Sequence, residues 1–152
     1  MASAARTAPS CTRFPGRASR YKCAMLRDGP IPRFVHGMIE YVAGVVAIAA
    51  PFVLSFEADA AIWISVAVGV IVIVIAASTV GPTGLVDQIP LAAHVTLDYV
   101  LAVALIAMPF IAGFSDETAP TVFFIAVGVA HLLITIGTRF KQPEPARSKH
   151  KR

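Results

Sequence analysis

The stretch HGMIEYVAGVVAIAAPFVLSF, residues 36–56, recurs as HVTLDYVLAVALIAMPFIAGF, residues 94–114. Nine of the 21 aligned positions are identical: one histidine, tyrosine, isoleucine, alanine and proline, two valines and two phenylalanines. After a one-residue slip, AVGV at 67–70 also matches AVGV at 126–129. Similarity at a fixed offset indicates a duplicated structural unit. The unit is long enough to be a pair of helices.

The composition contains more apolar surface than a soluble domain of this size can bury. Hydrophobic residues make up 57% of the 152 residues, and the mean hydropathy is +0.73. A helix needs roughly 20 apolar residues to cross the hydrocarbon of a bilayer, and runs of about this length occur at 34–56, 60–80, 91–114 and 120–138. We therefore predict an all-α membrane protein with four transmembrane helices. Because each repeat holds an even number of spans, the two repeats should be parallel.

The predicted organisation has five parts. They are a basic tail at 1–33, repeat 1 at 34–80, a loop at 81–90, repeat 2 at 91–138 and a second basic tail at 139–152. We expect the first tail to be disordered. Met25 is an alternative start of the chain, because MLRDGPIPRF leads directly into the first span.

The distribution of charge predicts the orientation. All thirteen Lys and Arg residues lie outside the apolar block, seven up to Arg33 and six from Arg139 onward. The positive-inside rule then places both tails in the cytoplasm. The outer loops, SFEADA and SDETAP, carry acidic residues and no basic one. Although the net charge is +4, we expect no nucleic-acid partner, since no nucleic-acid-binding motif accompanies the charge. The expected partners are the lipid bilayer and a membrane protein or a second copy of the chain.

The doubled pattern H-x-x-(I/L)-(D/E)-Y, followed after about nine residues by P-F-x-x-x-F, resembles the SPW-repeat family of bacterial integral membrane proteins. The resemblance covers residues 34–138. The Ser-Pro-Trp tripeptide that names the family is replaced by Ala50-Pro51-Phe52 and Met108-Pro109-Phe110, so phenylalanine stands in place of both tryptophans. The resemblance implies a protein of the bacterial inner (plasma) membrane and no established activity.

The two prolines of this pattern should kink their helices. Proline lacks the N–H of a helical hydrogen bond, and its ring clashes with the preceding turn. Aromatic side chains are common where a span reaches the membrane interface. We therefore expect the outer interface to hold four phenylalanines: Phe52, Phe56, Phe110 and Phe114.

Each repeat carries a histidine and a carboxylate four residues apart, His36 with Glu40 and His94 with Asp98. Residues at this spacing share one face of a helix. In the fourth span, His131 lies seven residues, about 10 Å, from the cytoplasmic end. These five ionisable groups should therefore meet in the cytoplasmic half of the bundle. Ionisable groups within a membrane are usually paired or functional.

Three interpretations of this cluster fit the sequence. The first is structural, with the histidines and carboxylates bonded across helices to the hydroxyls of Tyr41, Tyr99 and Thr135. The second is a metal site, because imidazole and carboxylate suit zinc, iron or manganese, and helix bundles often carry such ligands. The third is a proton or ion relay in which His131 lies between the two acids.

We expect no enzymatic activity and no catalytic residue. The sequence holds no phosphate-binding glycine loop, no Cys-x-x-Cys and no nucleophile elbow. A metal is the one cofactor that the residue types support. The sequence therefore predicts a non-enzymatic structural or interaction component of the membrane, or alternatively a metal-binding or ion-handling membrane protein.

Overall fold

The computed structural model describes residues 29–140, and within them the chain forms four α-helices. These are α1 (Arg33–Val53), α2 (Asp59–Ser78), α3 (Leu91–Ile111) and α4 (Thr118–Gly137). Each is long and apolar enough to cross a membrane. The predicted all-α membrane fold is therefore confirmed. The expectations of a disordered first tail and a start at Met25 concern residues outside the described part of the chain.

The helices pack as two hairpins, α1 against α2 and α3 against α4. Small residues allow the close approach within each hairpin. A side chain at Gly69 would begin 2.5 Å from the carbonyl oxygen of Gly44, and one at Gly128 would begin 3.0 Å from that of Ala102. Gly69 and Gly128 are the glycines of the two AVGV segments. The two-helix repeat is thus the packing unit of the fold.

One place where the hairpins meet is the side of the bundle where α1 and α3 begin and α2 and α4 end, which we call the tail side. Two isolated parallel bridges join the helix ends there. Ile31 donates its N–H to the carbonyl of Gly137 at 3.0 Å, and Ile89 donates its N–H to that of Ser78 at 2.8 Å. Each first helix of a repeat therefore begins beside the end of a second helix. The duplication is visible down to single hydrogen bonds.

At the end of the bundle opposite the tail side, which we name the outer side only as a label, the proline pattern ends both first helices in the same way. Phe56 donates its N–H to the carbonyl of Pro51 at 2.9 Å, and Phe114 donates to that of Pro109 at 3.0 Å. Ser55, the residue before Phe56, has a left-handed φ of 52°. A bond of this span after a left-handed residue is the Schellman C-cap, which satisfies a helix-terminal carbonyl. Both prolines lie in the last turn of their helices.

The Schellman turn separates the four phenylalanines into two pairs. Phe52 and Phe110 are 71% and 63% exposed, on the outside of the bundle. Phe56 and Phe114 are instead buried, because the chain reverses before them and points them inward. They pack in a cluster to which every helix contributes, together with Ala50, Ala61, Leu105 and Phe124. The outer half of the bundle therefore has an apolar core.

Candidate metal centre

Four of the five ionisable groups predicted to meet do so on the tail side of the bundle. α1 supplies His36 and Glu40, and α3 supplies His94 and Asp98; all four are buried, with 2–4% of their surface exposed. We call these residues the tetrad. They lie together because the helical spacing of four puts each pair on one face, and the two hairpins turn these faces toward each other.

The tetrad has nearly two-fold symmetric distances. Between repeats, His36 Nε2 lies 3.3 Å from Asp98 Oδ2, and His94 Nε2 lies 3.3 Å from Glu40 Oε1. Within each helix the corresponding nitrogen–oxygen distance is 3.5 Å. All four atoms lie within 4.8 Å of one another. Each histidine is therefore shared about equally between both carboxylates.

These distances do not describe a set of paired hydrogen bonds. A charged N–H bonded to a carboxylate is usually about 2.7–2.9 Å long, and one N–H points at one acceptor. Among the described residues, His36 Nε2 and Asp98 Oδ2 are buried without a hydrogen-bond partner. The four atoms are better described as surrounding a common centre.

Hydrogen bonds to two threonines determine which ring nitrogen carries the hydrogen in His36 and in His94. Thr79 Oγ1 donates its single hydrogen to the carbonyl of Ile75 at 2.7 Å and lies 2.9 Å from His94 Nδ1. Because that hydrogen is used, the hydroxyl accepts from His94, and Nδ1 is the donor. Thr138 makes the same pair of contacts in the other hairpin, 2.6 Å to the carbonyl of Ile134 and 2.9 Å to His36 Nδ1.

With hydrogen on Nδ1, a neutral imidazole keeps its lone pair on Nε2. In both histidines Nε2 is the atom that faces the carboxylates. A histidine that binds a metal usually donates its other N–H to a neighbouring acceptor, which fixes the tautomer and the ring orientation. The threonines occupy this supporting position.

The donor set fits a divalent transition metal. In a tetrahedral site with ligands about 2.0–2.1 Å from the ion, neighbouring ligand atoms are about 3.3 Å apart. The four nitrogen–oxygen distances of the tetrad are 3.3–3.5 Å, and no two of the four atoms are more than 4.8 Å apart. Two carboxylates and two neutral imidazoles carry two negative charges together. A divalent cation would neutralise them, and unbalanced charge is costly to bury inside a membrane.

The fifth ionisable group, His131 on α4, lies beside the tetrad and outside it. Its Nε2 is 3.8 Å from Asp98 Oδ1 and has no hydrogen-bond partner among the described residues. The equivalent residue of the first repeat is Val72. His131 is therefore the group that makes the two carboxylates of the tetrad inequivalent.

The three hydroxyl side chains named from the sequence do not join the tetrad. Thr135 donates to the carbonyl of His131 in its own helix at 2.9 Å. Tyr41 donates to the carbonyl of Thr83, in the loop between α2 and α3, at 3.0 Å. Tyr99 is partly exposed. Tyr41 thus bonds to the loop between α2 and α3, while the hydroxyl of Thr135 bonds to its own helix.

Sequence reasoning missed Thr79 and Thr138, although a signal for them exists. They are separated by 59 residues, the same offset that relates the two AVGV segments. Extending the repeat alignment past AVGV therefore pairs the two threonines. It places each of them directly after the second helix of its repeat.

The fold and the site define a four-helix integral membrane protein with a polar tetrad shared between two repeats. A family profile described as the SPW repeat domain matches residues 33–138. The chain belongs to the SPW repeat family, as the sequence pattern predicted. Searches of curated proteins and of solved structures found no match. The matched region contains the whole tetrad and both threonines.

Proposed function

We propose that this protein binds one divalent transition-metal ion in the tetrad and that it is a non-enzymatic component of the bacterial inner membrane. One observation carries the proposal: two Nε2 atoms and two carboxylate oxygens lie within 4.8 Å of one another, while Thr79 and Thr138 accept the opposite N–H of each imidazole. This arrangement aims four donor atoms at one point.

The donor types narrow the choice of ion. Imidazole and carboxylate together suit zinc, iron and manganese, whereas magnesium and calcium prefer oxygen ligands alone. The tetrad offers four ligand atoms, and zinc is almost always four-coordinate in structural sites. Zn²⁺ is therefore the ion with which we would test the site.

The residues around the tetrad favour a site that binds an ion and exchanges it with one side of the membrane. They do not favour a channel that conducts the ion through the bundle. The outer half of the bundle is filled by the apolar cluster around Phe56, Phe114 and Phe124. Among the described residues, that half has one buried polar side chain, Ser65. Its hydroxyl donates to the carbonyl of Ala47 at 2.7 Å. An ion in the tetrad would have a shorter polar path to the tail side.

The tail side is the cytoplasmic side in this proposal. Support comes from the Lys and Arg residues, which lie either up to Arg33 or from Arg139 onward. Both residues are at the tail-side ends of helices or directly after them. The opposite loops carry Glu57, Asp59 and Glu117 without a basic residue, as the positive-inside rule expects for the outer surface. The metal would then be taken from the cytoplasm and returned to it.

Elemental analysis of the detergent-purified full chain tests the proposal. The protein would be loaded with Zn²⁺, desalted and compared with the double variant His36→Gln, His94→Gln. The variant Cys11→Ser, Cys23→Ser is the matched control, since it removes the two thiols that lie outside the tetrad. We expect one zinc ion per chain in the wild type and the control, and none in a histidine variant that keeps its helical circular dichroism.

Zinc retained at full stoichiometry by the histidine variant would refute a site in the tetrad. A folded wild-type protein that binds no zinc, iron or manganese would refute the metal proposal altogether. The tetrad would then be a network of ion pairs between two imidazolium groups and two carboxylates. Its role would be to join the repeats.

A further inference from the structure

We propose that a metal ion reaches the tetrad through a cavity beside the loop between α2 and α3, and that the ring of Phe140 blocks the equivalent opening on the His36 side of this cavity. This inference rests on the proposed metal binding and adds to it the path of exchange. A buried tetrad with 2–4% exposure needs such a path, because an ion cannot cross packed side chains.

A small cavity does connect the tetrad with the tail side. Its volume is about 30 Å³, and a site needs only about 10–15 Å³ on this measure to hold one water molecule. The tetrad residues His36, Glu40 and His94 form its inner wall. The loop residues Gly81, Pro82 and Thr83 line it on one side, and Phe140 lines it on the His36 side. It is therefore wide enough for water or for an ion that has lost most of its hydration shell.

The segments that follow α2 and α4, one on each side of the tetrad, make equivalent hydrogen bonds and then differ at one residue. Val80 donates its N–H to the carbonyl of Ile89 at 2.9 Å, and Arg139 donates its N–H to that of Ile31 at 2.9 Å. These are equivalent bonds of the duplicated fold. The next residue is Gly81 in the first case and Phe140 in the second.

That difference closes one route and leaves the other open. The ring of Phe140 packs edge-on against the ring of His36, with centroids 5.3 Å apart, and is buried. At Gly81, an added Cβ atom would meet no other atom within 4 Å. Phe140 thus covers one face of His36, which lines the cavity together with His94, while no side chain fills the equivalent position at Gly81.

The charges near the two routes favour a cation at the open one. The Asp87 carboxylate accepts the N–H of Gly81 at 3.3 Å and is exposed. On the closed side the corresponding segment carries Arg139, whose Nε donates to the carbonyl of Gly29 at 3.1 Å. Arg33, the first residue of α1, also lines the cavity. The Gly81 side of the cavity therefore has an acidic group, Asp87, bonded to its lining backbone, whereas the Phe140 side has a basic group, Arg139, in the equivalent segment.

The variant Gly81→Phe tests the route, since it places at position 81 the residue found at position 140. Gly81 does not have a left-handed φ, so its backbone accepts a side chain. Leu85→Phe is the matched control, because it adds aromatic bulk to an exposed position of the same loop. Zn²⁺ uptake would be followed by stopped-flow with a zinc indicator, and release by extraction with a chelator.

We expect Gly81→Phe to slow uptake and release by the same factor, roughly tenfold or more, with an unchanged equilibrium affinity. A route affects both rates equally because it changes neither end state. The double variant Gly81→Phe, Phe140→Gly should restore the rates by moving the opening to the His36 side. Rates in Gly81→Phe equal to those of Leu85→Phe, or no recovery in the double variant, would overturn the inference.

A second measurement does not depend on metal. In D₂O, the C2 hydrogen of an imidazole exchanges slowly with water, and mass spectrometry locates the label. Because both His36 and His94 line the cavity, we expect slower labelling of these histidines in Gly81→Phe than in Leu85→Phe. Equal labelling in the two variants would overturn the route. Failure of the wild type to bind Zn²⁺ at equilibrium would refute the metal function, while the labelling would still decide where water enters.

Discussion

His94 donates a hydrogen bond from Nδ1 to the hydroxyl of Thr79 at 2.9 Å, and this bond turns Nε2 toward the two carboxylates. The pair His36 and Thr138 repeats it across 102 residues. In each case the threonine follows the second helix of one hairpin, and the ring belongs to the first helix of the other. Neither hairpin alone therefore supplies an oriented histidine.

The threonines give the first prediction. Thr79→Val should weaken zinc binding by about 10–100-fold, the usual effect of losing a supporting contact to a metal-bound histidine. Thr79→Ser keeps the hydroxyl and should bind zinc like the wild type. The measurement is a competition titration against a chelator of known affinity. Wild-type affinity in Thr79→Val would show that this contact does not orient the ligand.

A second prediction concerns His131. Because its Nε2 lies outside the group of four donor atoms, His131→Val should still bind one zinc ion per chain. The substitution copies Val72 of the first repeat and removes a buried nitrogen without a partner. We therefore expect equal or greater stability, by up to about 1–3 kcal/mol.

Elemental analysis and unfolding of the His131→Val protein in detergent check these expectations. Asp98→Asn is the comparison variant, since it alters a member of the tetrad and should lose the metal. Loss of zinc from His131→Val would make His131 a ligand and would contradict a four-residue site.

The third prediction tests the packing of a hairpin. At Gly69 a side chain would begin 2.5 Å from the carbonyl oxygen of Gly44 and 2.7 Å from the side chain of Ile48. Gly69→Val should therefore force α1 and α2 apart and destabilise the fold by about 1–3 kcal/mol. Val70→Leu, at an exposed neighbouring position, is the control and should change little. Denaturant titration in detergent micelles measures both, and equal stability would argue against close helix contact at Gly69.

The fourth prediction concerns the outer side, where Glu117 joins the two repeats. Its carboxylate accepts the N–H of Glu57 at 2.6 Å and the N–H of Ala58 at 2.9 Å, directly before α2. Glu117→Ala should cost about 1–2 kcal/mol, as expected when charged hydrogen bonds at a helix N-terminus are lost. Asp116→Ala is the control, since Asp116 is the exposed neighbour. Thermal unfolding of both variants gives the comparison. Equal melting temperatures would show that the hydrogen bonds accepted by Glu117 add no stability.

The sequence contained enough information for the fold and for the tetrad, because both depend on local periodicity. Hydropathy predicted the spans, the repeat predicted their pairing, and the spacing of four put each histidine above its carboxylate. Duplication then implied that the two pairs are equivalent. That step brings His36 and Asp98 together although 62 residues separate them.

The remaining details depend on how helix ends meet, which periodicity does not determine. Thr79 and Thr138 lie just after helices, so their contacts with the histidines follow from the bridges at the tail side. Thr135 shares a face with His131, yet its hydroxyl bonds to its own helix, as buried threonines often do. Phe56 is buried because a left-handed residue reverses the chain before it. None of these outcomes is visible in the spacing of residues along one helix.

The most direct test of a metal centre in the tetrad is zinc X-ray absorption spectroscopy of the loaded, full-length protein. We predict a first shell of two nitrogen and two oxygen atoms at about 2.0–2.1 Å, the usual distances for histidine and carboxylate ligands. The outer-shell scattering of two imidazole rings should accompany it and should disappear in the His36→Gln, His94→Gln protein. A first shell containing sulfur at about 2.3 Å, or one of oxygen alone, would place the ion outside the tetrad and contradict this account.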